Sequence, residues 1–203
     1  MDDYTEIEIP PGALAEVVTY LEMRTPPASR PPRDDAPWRL EHRPNPDVDW
    51  YLRLYRQIGA RWLWYSRLAM PREKVAAILA DPAVAVHVLR RDDRDVGIVE
   101  FDLSDPAAVE ICFFGVADSE IGRGAGAWLM ARALEIAWAS GPDRVWLHTC
   151  TLDHPNALPF YLKQGFRAYK RTLAYNTDPR HSGVLPIDAA PHIPVIPVDS
   201  RLE

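Results

Sequence analysis

A strand-like run that ends in a glycine-rich turn is the segment of this sequence best equipped for chemistry. It reads Glu110-Ile-Cys-Phe-Phe-Gly-Val-Ala-Asp-Ser-Glu-Ile-Gly-Arg-Gly-Ala-Gly-Ala-Trp-Leu-Met130. Gly122, Gly124 and Gly126 let the backbone turn tightly and put no Cβ between its N–H groups and a ligand. A helix begins there, and its first turn leaves N–H donors unpaired at the positive end of the helix dipole. A diphosphate suits that place; the bland alternative is a loop that needs room for close packing. Two other phosphate loops fail on spacing. A nucleotide-hydrolysing loop requires G-x-x-x-x-G-K and then Ser or Thr, and no lysine follows Gly126. A dinucleotide fingerprint requires G-x-G-x-x-G, whereas here the glycines recur every second residue.

Other residues nearby could move protons. Strand alternation puts Glu110 on one face with Cys112, Phe114 and Val116, and Ile111 and Phe113 on the other. A carboxylate among apolar neighbours has its pKa raised toward neutrality, as a general base requires; a solvated strand-edge glutamate is the competing reading. Tyr161 is either a buried packing residue or a proton donor. His148 and Cys150 share a strand face, with His154 just past its end. A structural zinc would want a fourth ligand, so core or pocket-lining roles fit these three better than a metal site or a Cys150/His154 nucleophilic pair.

The elements that must hold these groups follow from periodicity. Nine of the 20 prolines lie at or before Pro46 and five at or beyond Pro179, which marks the irregular ends of the fold. The first stretch reads as one strand, about Ala15 to Met23, then an irregular segment through Pro44. Asp47 or Asp49 can cap a helix whose apolar face is Tyr51, Leu54, Tyr55 and Ile58. Gly59 interrupts it, an aromatic segment from Trp62 to Leu68 follows, and Pro71 opens a short helix that stops at Pro82. Val84 to Leu89 and Val96 to Leu103 form a hairpin, and Val109 to Val116 is a third strand. The long helix runs through Trp138 with Ala127, Met130/Ala131, Leu134 and Ala137/Trp138 inward. Arg144 to Thr151 is a strand, Pro155 to Gln164 a helix, and Phe166 to Tyr175 a last strand. This order predicts an α+β (mixed α/β) fold with one sheet. We expect a domain over residues 1–176 and an extended, Pro-rich extension over 177–203, whose Ile193, Val195 and Ile196 suit packing on the body or on a second copy.

Two motifs carry a family resemblance. A strand followed by Ile121-Gly-Arg-Gly-Ala-Gly126 opening an amphipathic helix resembles the acetyl-CoA pyrophosphate loop of GNAT acetyltransferases, Gln/Arg-x-x-Gly-x-Gly/Ala. Gly124 and Gly126 match, and Ile121 departs from Gln or Arg. Downstream, Ala157, Tyr161, Gly165 and Phe166 match the family's Ala-x-x-x-Tyr-x-x-x-Gly-Phe. The resemblance covers about Val109 to Phe166 and implies a twisted mixed sheet flanked by helices. It implies that Gly122, Arg123, Gly124, Ala125, Gly126 and Ala127 hold the acetyl-CoA diphosphate with Ile121 beside them. It further implies that backbone N–H groups at Phe114 to Val116 polarise the thioester, where the strand parts from its neighbour. The family often has Asn seven residues before the tyrosine; here His154 stands there and Asn156 follows, so either is the cofactor contact.

Amine acetylation needs a deprotonated acceptor, a polarised carbonyl and a protonated leaving thiolate. The resemblance makes Tyr161 the acid and Glu110 the base, since Glu-Ile-x-Phe-x-x-Val also resembles the histone-acetylating branch. It implies direct transfer to a small-molecule amine. A lysine or N-terminus of a protein is the second reading, and a silent CoA-binding module the third. The net charge of −6 argues against nucleic acid or an anionic membrane as main partner, although arginines between Arg53 and Arg72 could form a local basic patch. The apolar stretches are too short to span a bilayer, two cysteines make no disulfide framework, and an acidic start is unlike a signal peptide, so cytosol is expected.

Overall fold

Period-two apolar runs become seven strands in a computed structural model, which describes residues 4–28 and 36–198. The acidic start and the end of the C-terminal extension fall outside the described residues. The strands are β1 (Ala13–Met23), β2 (Trp38–His42), β3 (Val84–Arg91), β4 (Arg94–Asp102), β5 (Ala108–Val116), β6 (Arg144–Cys150) and β7 (Arg167–Thr177). They form one sheet in the order β2-β3-β4-β5-β6-β1-β7, antiparallel throughout except for the parallel pair β5–β6.

Two strands depart from the sequence expectation. β2 forms inside the segment read as irregular. Its five residues alternate Trp38, Leu40 and His42, and the flanking prolines are tolerated because β2 is an edge strand pairing only with β3. β1 starts at Ala13, two residues before the expected strand, and lies between β6 and β7, pairing Val18 with Cys150 and Val17 with Leu173.

The helices cover both faces. On one side α1 (Val48–Gly59) is capped by the Asp47 carboxylate, which accepts from Trp50 N–H. Its buried Tyr51, Leu54, Tyr55 and Ile58 pack with Val75 and Leu79 of α2 (Arg72–Ala80) against Val86, Val88 and Ile98. On the other side α3 (Ala125–Trp138) and α4 (Ala157–Lys163) close the larger core with Leu129, Met130, Leu134 and Tyr161. The inward stripe of α3 is Ala125, Leu129, Ala133 and Ala137 with Met130 and Leu134. Ala127 is exposed, contrary to expectation, because the helix starts at Ala125 and its first turn faces the glycine loop.

The segment after β7 does not run extended. It folds back through turns onto the body, burying Leu185 and Ala190 against Leu63 and Leu152. A buried Asp178–Arg180 pair at 2.7 Å anchors it, with Arg180 also donating to the carbonyls of Ala189, Ile193 and Pro194.

Candidate active site

The sheet opens where β5 and β6 part. Their pairing ends at Glu110–Trp146, while β5 stays paired to β4 as far as Val116–Gly97. β6 turns to β1 instead. Alternate N–H groups along Ile111 to Val116 therefore lack a strand partner, and a cavity of about 600 Å³ fills the gap, lined from both strands. Gly115 belongs to this opening: a Cβ there would lie 2.6 Å from Ile58 Cγ2, so the bare backbone lets α1 and Trp64 close one wall.

An irregularity resets the faces of β5. Glu100 pairs with Phe113 and Phe101 with Ile111, so the ladder skips Cys112. Val109 and Ile111 pack toward α3, and beyond the bulge Phe114 and Val116 do so, while Phe113 faces α1. The expected single face of Glu110, Cys112, Phe114 and Val116 is thus broken at Cys112.

The glycine turn fits an anionic ligand. Gly122 and Gly124 have φ of +77° and +91°, a left-handed conformation that favours glycine, and a Cβ at either would meet nothing within 4 Å. Gly124 caps α3 with no side-chain hydrogen bond, which leaves the first-turn donors to a ligand. Gly122, Gly124, Gly126, Ala127 and Ile121 line the cavity; Arg123 is exposed and Ala125 buried, and neither does. The residue that fixes this turn went unread in the sequence. Buried Glu120 accepts from Trp38 Nε1 at 2.8 Å and pairs with Arg91 at 3.3 Å, tying the loop to β2 and β3.

Tyr161 lies across the gap, its ring edge-on to Phe114 at 6.1 Å and to Phe166 at 6.2 Å. Burial pushes its hydroxyl pKa well up, so it stays a proton carrier rather than a phenolate. His154 and Asn156 both reach the cavity. The His154 Nδ1 accepts from the Asn156 N–H at 3.0 Å, and its ring packs on Trp62 at 4.7 Å.

The far end of the cavity is acidic and aromatic. Glu16 and Tyr20 enter from β1, Trp64 and Tyr65 from the turn after α1, and His148 and Asp153 from β6 and the turn beyond. Asp153 accepts from Thr149 Oγ1 at 2.6 Å and Trp64 Nε1 at 3.2 Å. No Lys or Arg lines the cavity among the described residues. Burial raises the Cys112 and Cys150 thiols well above their ordinary range, which disfavours a thiolate. Glu110 does not line the cavity. Its carboxylate stands 3.5 Å from His148 Nδ1, and of the two only His148 lines the cavity. Among the described residues no group of three His, Cys, Asp or Glu could hold a metal, and no helix is long and apolar enough to cross a membrane.

Beneath the acceptor end, Glu100 is fully buried and bonds Tyr51 Oη and Arg67 Nη2, each at 2.5 Å. Arg67 in turn lies over the Phe113 ring at 5.1 Å. This cluster clamps the aromatic turn 60–70 to β4.

Residues 33–166 match the family model described as Acetyltransferase (GNAT) family. No curated protein matches the chain. Among solved structures it is similar to a functionally unknown conserved protein from Staphylococcus epidermidis ATCC 12228, at 17% identity and TM-score 0.61, covering 82% of this chain and 64% of that one. The chain thus spans less than two thirds of that protein's length. An aminoglycoside acetyltransferase from an uncultured soil metagenomic sample aligns at 18% identity and TM-score 0.53, over 64% of this chain and 89% of that one. A GNAT-family protein from Novosphingobium aromaticivorans DSM 12444 aligns at 18% identity and TM-score 0.53, over 84% and 70%. Likeness at these identities is likeness of fold.

Proposed function

This chain belongs to the acetyltransferase (GNAT) family, and from that premise we propose that it transfers an acetyl group from acetyl-CoA to the primary amine of a small molecule. The observation that carries the acceptor class is the far end of the cavity. Glu16 and Asp153 supply negative charge, and Tyr20, Trp64 and Tyr65 supply flat apolar surface, with no cation to repel an ammonium. An amine carrying an aromatic or extended apolar part suits that lining. One protein of similar fold is an aminoglycoside acetyltransferase, which agrees with a small-molecule acceptor.

Acetyl-CoA supplies a thioester whose carbonyl carbon is the electrophile. Gly122, Gly124 and Gly126 would hold the diphosphate at the start of α3, with Ile121 and Ala127 beside it. His154 or Asn156 would contact the arm of the cofactor near α4. Free N–H groups of Phe114 to Val116 would donate to the carbonyl oxygen as negative charge develops there. Tyr161 would protonate the leaving sulfur. Removal of the acceptor's proton falls to a base at the acidic end, where His148 and Asp153 line the cavity. The raised thiols of Cys112 and Cys150 favour direct transfer over an acetyl-cysteine route.

The test is CoA release from acetyl-CoA across a panel of small amines, polyamines and lysine-bearing peptides. Release with small amines supports the reading. Release with peptides alone moves the acceptor to proteins, and saturable acetyl-CoA binding with no release from any amine overturns the enzyme.

A further inference from the structure

The sequence points to Glu110 as the base, yet the geometry interposes another group. Glu110 sits at the last paired position of β5 and β6, at the closed base of the splay. Its side chain is 19% exposed and lies outside the cavity lining. His148 is two residues further along β6, on the open side. Its side chain is 45% exposed and lines the cavity. We propose that His148 takes the proton from the acceptor ammonium and that Glu110 is a positioning residue that orients its imidazole.

The Glu110 Oε1–His148 Nδ1 separation of 3.5 Å is ion-pair distance, longer than an ideal hydrogen bond, as acid–base pairs often are before substrate arrives. A carboxylate at Nδ1 selects the tautomer protonated there and leaves Nε2 as the ring's free base. The charged neighbours favour the protonated imidazolium, while burial opposes it. Glu110 faces it from β5, Glu16 and Tyr20 from β1, and Asp153 from the turn after β6, with neutral Cys150 next on its own face. The cations nearby stand behind aromatic rings: Lys170 of β7 lies 4.7 Å over Tyr20, and Arg144 of β6 lies 5.8 Å over Trp146. His148 is accordingly raised above its ordinary 6.5, chiefly by the Glu110 carboxylate beside it and against desolvation. That is the range in which a base works best near neutral pH.

The step balances with the residues at hand. The ammonium gives one proton to Nε2, and the freed lone pair forms the C–N bond as the C–S bond breaks. Sulfur leaves with the bonding pair and takes a proton from the Tyr161 hydroxyl, which recovers one from the nitrogen. One amide, one thiol and one proton on His148 result, and the exposed imidazole releases that proton to solvent.

The inference rests on the amine-acetylation reading, so its test includes a measurement that needs no turnover. NMR titration of His148 should give a midpoint that falls in Glu110→Gln, and the acidic limb of kcat/KM should fall with it. Glu110→Gln should keep most of the activity above that limb. His148→Gln should lose roughly 10²-fold in kcat/KM near neutrality, with the loss shrinking as pH rises and acetyl-CoA affinity unchanged. The assignment is overturned if His148→Gln keeps a wild-type rate and limb, or if Glu110→Gln abolishes turnover at all pH values. A Glu110-dependent midpoint with no turnover of any amine would overturn the amine reading, and the base with it, leaving only the ion pair.

Discussion

Gly126→Glu separates ligand binding from folding. Gly126 is the second residue of α3, has ordinary helical φ, and a Cβ there would meet only the Phe160 ring at 3.9 Å. Nothing in the fold opposes a side chain. Replacing a helical glycine by glutamate gains about 0.5 kcal/mol in propensity, and an acid in the first turn adds roughly 0.3–1 kcal/mol through the dipole. The ligand-free variant should therefore melt a few degrees higher than wild type, at about 2–4 °C per kcal/mol for a chain this size. A diphosphate at the same turn would meet a new negative charge. At about 5 Å and an effective dielectric of about 20 the repulsion is roughly 3 kcal/mol per phosphate charge, or more than about 100-fold in affinity. With acetyl-CoA at a hundredfold excess over the wild-type dissociation constant, ligand stabilisation should fall from about 2.7 to about 0.4 kcal/mol. Thermal melts with and without acetyl-CoA, backed by calorimetric titration, read both numbers. A variant that melts higher yet keeps its acetyl-CoA shift would refute the placing of the diphosphate at this turn. One that melts lower would show that position 126 serves packing.

Two further substitutions probe the walls of the cavity. Tyr161→Phe keeps the ring that packs on Phe114 and Phe166. It should lower kcat roughly 10²-fold with acetyl-CoA affinity nearly unchanged, and a wild-type rate in a chemistry-limited assay would return Tyr161 to packing. Glu100→Gln strips the charge partner from Arg67, itself largely buried, and should cost about 3–5 kcal/mol in urea unfolding. Glu100→Leu combined with Arg67→Met should recover most of that loss, and an unchanged midpoint in the single variant would contradict the clamp.

The glycine turn and the helix that carries Tyr161 were legible because their signals are local. The turn from Ile121 to Ala127, the helix it opens and the Ala157–Phe166 motif each lie within about a dozen residues, so backbone freedom, capping and helical spacing could be read directly. The acceptor half was not. Glu16 and Tyr20 reach the cavity only because β1 pairs with β6, more than 120 residues away, and no local pattern encodes that partner. Glu110 was expected to share a face with Cys112, Phe114 and Val116, but the bulge at Cys112 broke that face. A bulge of this kind leaves the apolar run unaltered, so strict alternation was the only guide. β2 could have been found: Trp38, Leu40 and His42 alternate between prolines, and that strand supplies the indole that holds Glu120.

The two halves also differ in where they come from along the chain. Residues 33–166, which match the family model, contain the glycine turn, the splayed strand and Tyr161. The first strand lies outside that span, as do β7 and the folded-back segment after it. Yet Glu16, Val18 and Tyr20 line the cavity, and Leu185 and Ala190 support Leu63 and Leu152, which line it too. The glycine turn and Tyr161 thus lie in the span that matches the family model, whereas the cavity wall at Glu16 and Tyr20 comes from outside it. β1 is also structural, since β7 joins the sheet only through it. A change on β1's cavity face, such as Glu16→Gln, therefore touches acceptor recognition while the pairing that carries the fold runs through the backbone. On the proposed reading, a change on that face acts on the acceptor and leaves the glycine turn intact, because Glu16 lies on β1 and the turn follows β5.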